Sequence, residues 1–208
     1  MKISPTLTEV KEIAKTGKYD ILPVSCEILS DFITPIEAMR ILQNVSTHCY
    51  LLESAQANEA WGRYTFLGYD PKLEINCIDG HMKLGKLSVE TENPSEYIRQ
   101  ILSEYKSPKF DYLPSFTGGL VGYFSYDYLG YKEKSIRGKA KDTEDFKDVD
   151  LMLFDKVIAF DNLCQKIILI ANMSLDAPET GYNKAIVELK QLRELLMHGE
   201  KKQNMGGK

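Results

Sequence analysis

Three polar side chains with different chemistry lie close together in the sequence. Glu53 and Ser54 follow the apolar residues Leu51 and Leu52, and Arg63 comes after a short polar insert. A carboxylate and a hydroxyl can bind an ammonium group, and a guanidinium forks onto a carboxylate through two hydrogen bonds. The three groups are therefore suited to hold a small zwitterion, with Leu52 supporting its apolar part.

The same residues also have a purely structural interpretation. In that interpretation Glu53 and Ser54 are polar residues at the end of a strand, and Arg63 is a surface cation that pairs with Asp70 or Glu59. A charge-assisted hydrogen bond shielded from water is worth about 1.5–3 kcal/mol. Both interpretations remain open at the level of the sequence.

Other patterns argue against several kinds of site. The segment 117–123 has three glycines but matches neither GxGxxG nor GxxxxGK[ST], so we interpret them as a bulge or a close backbone approach. Asp155 and Asp161 bracket one predicted strand, where turn and edge roles are favoured over acid–base chemistry. The four scattered cysteines include no CxxC pair and predict neither a disulfide framework nor a zinc site. We predict no catalytic residue and no metal ligand in this chain.

Composition limits the partners and the compartment. The chain has 208 residues and a net charge of −4, without the basic excess of nucleic-acid-binding proteins. No apolar run is long enough to span a bilayer, and the first residues lack the apolar core of a signal peptide. These features predict a cytoplasmic protein with no nucleic-acid or membrane partner.

Capping patterns predict the first helices. The segment 6–9 has the capping-box pattern Thr-Leu-Thr-Glu, and Gly17 supplies a stop. The segment 34–37 is a second capping box with proline at the first helical position. We predict that this second helix buries Ile36, Met39 and Leu42.

Strand patterns dominate the middle of the chain. The segment 20–29 predicts a strand whose proline keeps it near an edge, and 48–85 predicts an antiparallel meander with a hairpin at Asp79-Gly80. The segment 93–105 predicts an amphipathic helix. A polar stretch over 131–150 predicts a long surface loop.

The C-terminal part predicts a hairpin and a helix. Apolar runs at 151–160 and 166–171 predict a buried hairpin, and apolar spacing over 182–196 predicts a long last helix. The polar residues 200–208 predict the start of a flexible linker. We therefore expect an α+β fold, mainly antiparallel sheets packed with helices, over a single region 1–199.

Four segments of the chain resemble anthranilate synthase component I. They are Tyr50–Ala55, Trp61–Pro71, Pro114–Asp127 and 150–172, in the order and approximate spacing of that family. Component I of aminodeoxychorismate synthase shares the general layout and is the nearest competitor. The combination of Leu-Glu-Ser at 52–54 with the Trp-Gly-Arg-Tyr-Thr-Phe motif is more similar to the anthranilate enzyme.

The resemblance implies a function for the whole protein and a regulatory role for this part of it. It implies conversion of chorismate and ammonia to anthranilate and pyruvate, with ammonia from a glutamine amidotransferase subunit, component II. It implies that Ser54, with Glu53, Leu52 and Arg63 beside it, contacts L-tryptophan as a feedback inhibitor. It places this chain in the N-terminal part of a layered synthase fold.

Two departures from the family pattern accompany the resemblance. Phe160-Asp161-Asn162 has asparagine where family members often have histidine. The motifs of the chorismate-binding half, which supplies the catalytic acid and base and the carboxylates for Mg²⁺, do not occur in these 208 residues. The chain alone is thus expected to be inactive. A stand-alone amino-acid-binding module and a structural fragment without ligand remain as alternatives.

Overall fold

The computed structural model describes residues 1–53, 62–133 and 146–201. Its elements, in chain order, are β1 (Ile3–Ser4), α1 (Leu7–Lys15), β2 (Ile21–Leu29), α2 (Pro35–Val45), β3 (Cys49–Leu52), β4 (Tyr64–Tyr69), β5 (Leu73–Ile78), β6 (His81–Leu84), β7 (Leu87–Glu90), α3 (Pro94–Ser103), β8 (Gly119–Phe124), a 3₁₀ helix (Tyr126–Tyr131), β9 (Val149–Phe154), β10 (Lys156–Asp161), β11 (Lys166–Ser174) and α4 (Pro178–His198). Helices are interspersed with runs of antiparallel strands along the chain, which confirms the predicted α+β class.

The chain divides into two compact units. Unit 1 combines Met1–Asp70, Lys106–Gly118 and Asp155–Lys208, and unit 2 combines Pro71–Tyr105 and Gly119–Phe154. Within the described residues, unit 1 contains a sheet of order β1-β2-β11-β10-β4-β3 and unit 2 a sheet of order β7-β6-β5-β9-β8. Every strand pair in both sheets is antiparallel.

The hairpin of β10 and β11 forms the centre of unit 1. One face of this hairpin, including Ile158 and Leu169, packs in the same cluster as Leu189 of α4. The opposite face, including Ala159 and Ile170, packs against the irregular segment 106–118. Strands buried on both faces have continuous apolar sequences rather than alternating ones, as these two do.

The predicted capping boxes of α1 and α2 are both present. Thr6 and Thr34 each accept a hydrogen bond from the backbone of a glutamate three residues on, whose side chain bonds back to the cap. The predicted buried face of α2 is wrong in one position, because Ile36 is 55% exposed. The buried residues of α2 are Ala38, Ile41 and Leu42.

Unit 2 packs its sheet against α3. Ile98 of α3 is buried in one cluster with Ile75 of β5 and Leu151 of β9. The predicted hairpin turn is present, since Asp79 and Gly80 both have positive φ (48° and 85°) between β5 and β6. Two positive φ values in a two-residue loop are the geometry that an Asp-Gly pair favours.

Two sequence predictions join strands that the structure separates. The predicted meander over 48–85 is divided at Asp70, because β3 and β4 belong to unit 1 and β5 and β6 to unit 2. The apolar run at 151–160 is likewise divided at Asp155 between β9 and β10, so only its second part forms a hairpin with β11. Apolar content predicted these strands correctly, but long-range pairing determined their sheets.

Some predictions fall outside the described residues. These include most of the loop predicted over 131–150 and most of the linker predicted over 200–208. The domain limit at residue 199 stays a prediction. Among the described residues, no helix combines the length and the apolar character needed to cross a membrane.

A close backbone approach explains one glycine of the segment 117–123. Gly122 of β8 has a φ of 153°, and a Cβ atom built on it would lie 2.0 Å from the carbonyl oxygen of Asp150 in β9. The backbone oxygen cannot move without disturbing the β8–β9 ladder. The interpretation of a glycine required by close approach is therefore confirmed at this position.

We predict that Gly122→Ala destabilises unit 2 by about 3 kcal/mol, because it combines overpacking with a backbone conformation that only glycine adopts readily. The matched control is Gly85→Ala in the same unit, where φ is 60° and the nearest atom is a Leu73 methyl group at 3.1 Å. That methyl can move, so we expect about 1–2 kcal/mol there. Hydrogen exchange of the β5 and β9 amides measures both costs, and equal costs would contradict the prediction.

Candidate functional site

Three strand ends of unit 1 lie together and carry the polar residues singled out in the sequence. Leu52 ends β3 and pairs with Phe66 of β4, and Tyr64 at the start of β4 pairs with Asp161 at the end of β10. Antiparallel neighbours run in opposite directions, so the end of β3, the start of β4 and the end of β10 share one end of the sheet. Glu53 follows β3 at this end. We call this region the β3/β4/β10 end.

Arg63 forms a bidentate ion pair with Asp161. Its Nε donates to Oδ1 at 3.0 Å and one Nη donates to Oδ2 at 2.7 Å. The Asp161 side chain is completely buried, while that of Arg63 is 35% exposed. This fork is the strongest geometry available to a carboxylate and an arginine. It uses two of the five N–H donors of the guanidinium. The second N–H of the same Nη donates to Cys164 Sγ, which leaves the two donors of the other Nη for further acceptors.

The surroundings of Asp161 favour its ionised form. Oδ1 also accepts the backbone N–H groups of Leu163 and Cys164, at 3.2 and 3.1 Å. Burial by itself raises the pKa of Asp161, but the hydrogen bonds from Arg63 and Cys164 outweigh burial and lower the pKa to about 2. The pKa of Arg63 is correspondingly raised by its hydrogen bond to Asp161. Both groups are charged at neutral pH.

Further groups surround the guanidinium of Arg63. Its Cζ lies 4.9 Å from the centre of the Tyr64 ring, within the range of a cation–π contact. An Nη lies 3.6 Å from the Sγ of Cys164, which is an exposed free cysteine. Cys26 and Cys77, by contrast, are buried.

Aromatic rings line the same part of the sheet. Phe66 packs edge-on against Phe116, with ring centroids 5.6 Å apart, and Tyr64 lies 5.8 Å from Phe66. Tyr50 covers Gly68 in the neighbouring pair of β3 and β4, where a Cβ atom would lie 2.1 Å from its ring. Packed aromatic rings therefore hold β3 and β4, the strands next to Glu53 and Arg63, in a rigid and largely apolar environment.

The structure places the predicted site residues unevenly. Ser54 lies outside the described residues, as does Glu59. Leu52 is 45% exposed and Glu53 is exposed at the β3/β4/β10 end. Arg63 lies at the same end, so the structure brings the described members of the set to one region. Their role in binding an amino acid stays a prediction.

The structural alternative for Arg63 named the wrong described partner. Asp70 pairs with Lys156, whose Nζ lies 2.7 Å from its carboxylate. Asp161 is the partner of Arg63 instead, 98 residues away in sequence. The sequence contained one signal for this contact, an aspartate directly after a buried apolar strand. We predicted a turn role for that aspartate, and its bonds to the following backbone confirm the turn role.

The described residues contain no group of three or more His, Cys, Asp or Glu side chains that could hold a metal ion. A Mg²⁺ ion needs several oxygen ligands in octahedral geometry. The described part of this chain therefore does not fit a Mg²⁺ site.

Known proteins match this chain closely over most of its length. It is 34% identical over 198 residues to anthranilate synthase component 1 of Acetivibrio thermocellus, a match that covers 92% of this chain and 39% of that protein. It is 36% identical over 196 residues to anthranilate synthase component 1 of Pseudomonas aeruginosa, covering 90% of this chain and 39% of that protein. No protein-family model matches the chain.

A solved structure matches the fold. The crystal structure of anthranilate synthase component I from Streptococcus pneumoniae superposes with a TM-score of 0.51 at 25% identity, covering 80% of this chain and 36% of that one. The fold therefore defines the class, an α+β protein with two antiparallel sheets whose fold matches that of a synthase component. Within that class, the chain belongs to the anthranilate synthase component I family, and it spans about two fifths of the length of the curated relatives it matches.

The buried pair at the β3/β4/β10 end makes stability depend on acid pH. The pKa of Asp161 is about 2 in the folded chain against an ordinary value of 3.8, so its ionised form favours folding. This contribution is complete above about pH 4 and is lost as the pH falls from 4 through 2. We predict that, between pH 5 and pH 2, the free energy of unfolding of the wild type falls by about 2 kcal/mol more than that of Asp161→Asn. Urea unfolding at each pH measures this difference, and an equal pH dependence of the two free energies would contradict it.

Proposed function

We propose that this chain is the N-terminal regulatory and scaffold part of an anthranilate synthase component I. The observation that carries the proposal is the family match, which covers about nine tenths of this chain but only 39% of each relative. The whole protein would convert chorismate and ammonia to anthranilate and pyruvate, the first committed step of tryptophan biosynthesis. It would do so in the cytoplasm.

The remainder of the protein would supply the chemistry. We assign the catalytic acid and base and the Mg²⁺ ligands to the chorismate-binding part, because the described residues do not fit a Mg²⁺ site. Component II, a glutamine amidotransferase, would deliver the ammonia. This chain would contribute the scaffold of its two units and one side of the effector site.

The effector site would lie at the β3/β4/β10 end and bind L-tryptophan. Glu53 and Ser54 would bind its ammonium group, Arg63 its carboxylate and Leu52 its apolar part. Two features support this assignment. The acidic and basic members lie at the ends of adjacent strands, which are about 4.8 Å apart in a sheet. Arg63 also retains two donors beyond those that bind Asp161 and Cys164.

Inhibition requires that tryptophan bind one arrangement of the whole protein more tightly than another. Such coupling is typically worth about 1–3 kcal/mol, or roughly a 5- to 150-fold change in affinity. The chorismate-binding part would supply the opposite wall of the site. Bound tryptophan would then contact both this chain and the chorismate-binding part, and it would favour the arrangement of the two that it binds more tightly.

The first test concerns the fragment itself. We predict that the chain of residues 1–208 forms no anthranilate from chorismate, ammonia and Mg²⁺, whereas the protein extended by the frame beyond codon 208 does. The comparison uses the fluorescence of anthranilate. A stop codon after Lys208, or anthranilate formation by the chain alone, would contradict the proposal.

The second test concerns Ser54 in the extended protein. We predict that Ser54→Ala raises the half-inhibitory tryptophan concentration about 10- to 100-fold, because a hydrogen bond to a charged group is worth about 1.5–3 kcal/mol. Turnover without tryptophan should change far less. The matched control is Ser88→Ala, at an exposed position of β7 in unit 2. This variant should have the same half-inhibitory tryptophan concentration as the wild type. An equal loss of turnover and inhibition in Ser54→Ala would contradict the effector role.

A further inference from the structure

Asp161 is more deeply buried, and makes more hydrogen bonds, than its role in a turn requires. An aspartate can cap a tight turn from the surface by accepting backbone N–H groups two and three residues on, and asparagine does so equally well. Asp161 makes these bonds to Leu163 and Cys164, yet its side chain is completely buried and also binds a guanidinium. A buried carboxylate without a cation would be costly. The turn therefore accounts for only part of this arrangement.

The rest of the arrangement holds the start of β4. Besides the fork from Asp161, the backbone carbonyl of Arg63 accepts the N–H of Asn162 at 2.9 Å. The side-chain amide of Asn162 also donates to Oγ1 of Thr65 at 3.4 Å. Two consecutive residues at the end of β10 thus fix both the backbone and the side chain of Arg63.

The position of Arg63 matters because of what lies on the neighbouring strand. β3 pairs with β4 through Leu52 and Phe66, and Glu53 follows directly. A zwitterion held at this end must reach an acidic group after β3 and a basic group before β4. The separation of these two groups is set by the register of β3 and β4 and by where the Arg63 side chain is held.

Asp161 orients the guanidinium without using all of its donors. It takes Nε and one N–H of an Nη whose other N–H donates to Cys164 Sγ, and the two N–H donors of the other Nη remain for a second carboxylate. Orientation of this kind lowers the cost of ordering a long side chain when the ligand binds. A loss of the Asp161 carboxylate would therefore weaken ligand binding even though Asp161 itself does not touch the ligand.

We infer that Asp161 is a positioning residue of the effector site: its carboxylate holds Arg63 in place for the carboxylate of the amino-acid effector and so sets the concentration at which that effector inhibits. This inference rests on the proposed function and deepens it. In this arrangement Arg63 contacts the ligand, and Asp161 acts only through Arg63.

The test is a double-mutant cycle in the extended protein, with ammonia as the nitrogen donor and L-tryptophan as the probe. It compares the wild type with Asp161→Asn, Arg63→Gln and the double variant. Asparagine keeps an acceptor for the turn but loses the charge. We expect the half-inhibitory tryptophan concentration to rise about tenfold in each single variant and no further in the double variant, because residues acting through one contact are not additive.

The matched control is Lys11→Gln. Lys11 of α1 pairs with Glu179 of α4, so this variant removes an ion pair of unit 1 that involves none of β3, β4 and β10. It should keep the wild-type half-inhibitory concentration. Arg63→Lys serves as a second variant if Asp161→Asn folds poorly, because it keeps the charge but not the fork. Its expected shift lies between the wild type and Arg63→Gln.

Several outcomes would overturn the inference. A normal tryptophan response in Asp161→Asn together with a shifted one in Arg63→Gln would leave Arg63 acting alone. Additive shifts in the double variant would make the two residues independent. An equal fall of uninhibited turnover and of tryptophan sensitivity in Asp161→Asn would make its role purely structural. Absence of tryptophan inhibition in the wild type would overturn the proposed function, and this inference with it.

Discussion

Unit 1 depends on the burial of one hairpin on both of its faces. β10 and β11 provide apolar side chains to the helices on one side and to the segment 106–118 on the other. Each fully buried aliphatic side chain contributes about 1.5–3 kcal/mol, so this hairpin supplies much of the favourable free energy of the unit. Its position also dictates where polar groups can lie. Asp161, at the end of β10, is the first polar residue after the buried run, and it is buried with it. The Arg63 pair at the β3/β4/β10 end is therefore a consequence of the central hairpin.

Local signals predicted the elements of this fold well. Both capping boxes, the Asp79-Gly80 turn and the last helix depend on residues within one or two turns of each other, and the structure confirms all of them. Sheet membership could not be predicted in the same way. The division of adjacent apolar strands between the two units depends on pairing with distant strands, and neighbouring residues carry no record of that pairing. The exposure of Ile36 has a similar cause, since the packing partners of α2 select which side of the helix is buried.

The candidate site shows the same limit at the level of single residues. Residue types and short spacing were enough to single out Glu53 and Arg63, which the fold then brings to one end of a sheet. The partner of Arg63 was missed because an aspartate in a turn already had a sufficient explanation, and its second role depends on a contact across 98 residues. The family match extends over nearly the whole chain. The regulatory role of this sheet end belongs to the proposed function, because geometry alone leaves an unassigned acid and base.

The order of strands in unit 1 has a consequence for biosynthesis. β2 pairs along its full length with β11, so the β2–β11 ladder, which joins Leu29 to Lys166, cannot form until β11 has been synthesised. At about 5–20 residues per second, translation takes roughly ten seconds to cover that interval. All of the strands of unit 2 emerge from the ribosome before β10 does. We therefore expect the nascent chain to complete unit 2 first, while β2 and β4 still lack their later partners β11 and β10 and expose one edge each to chaperones.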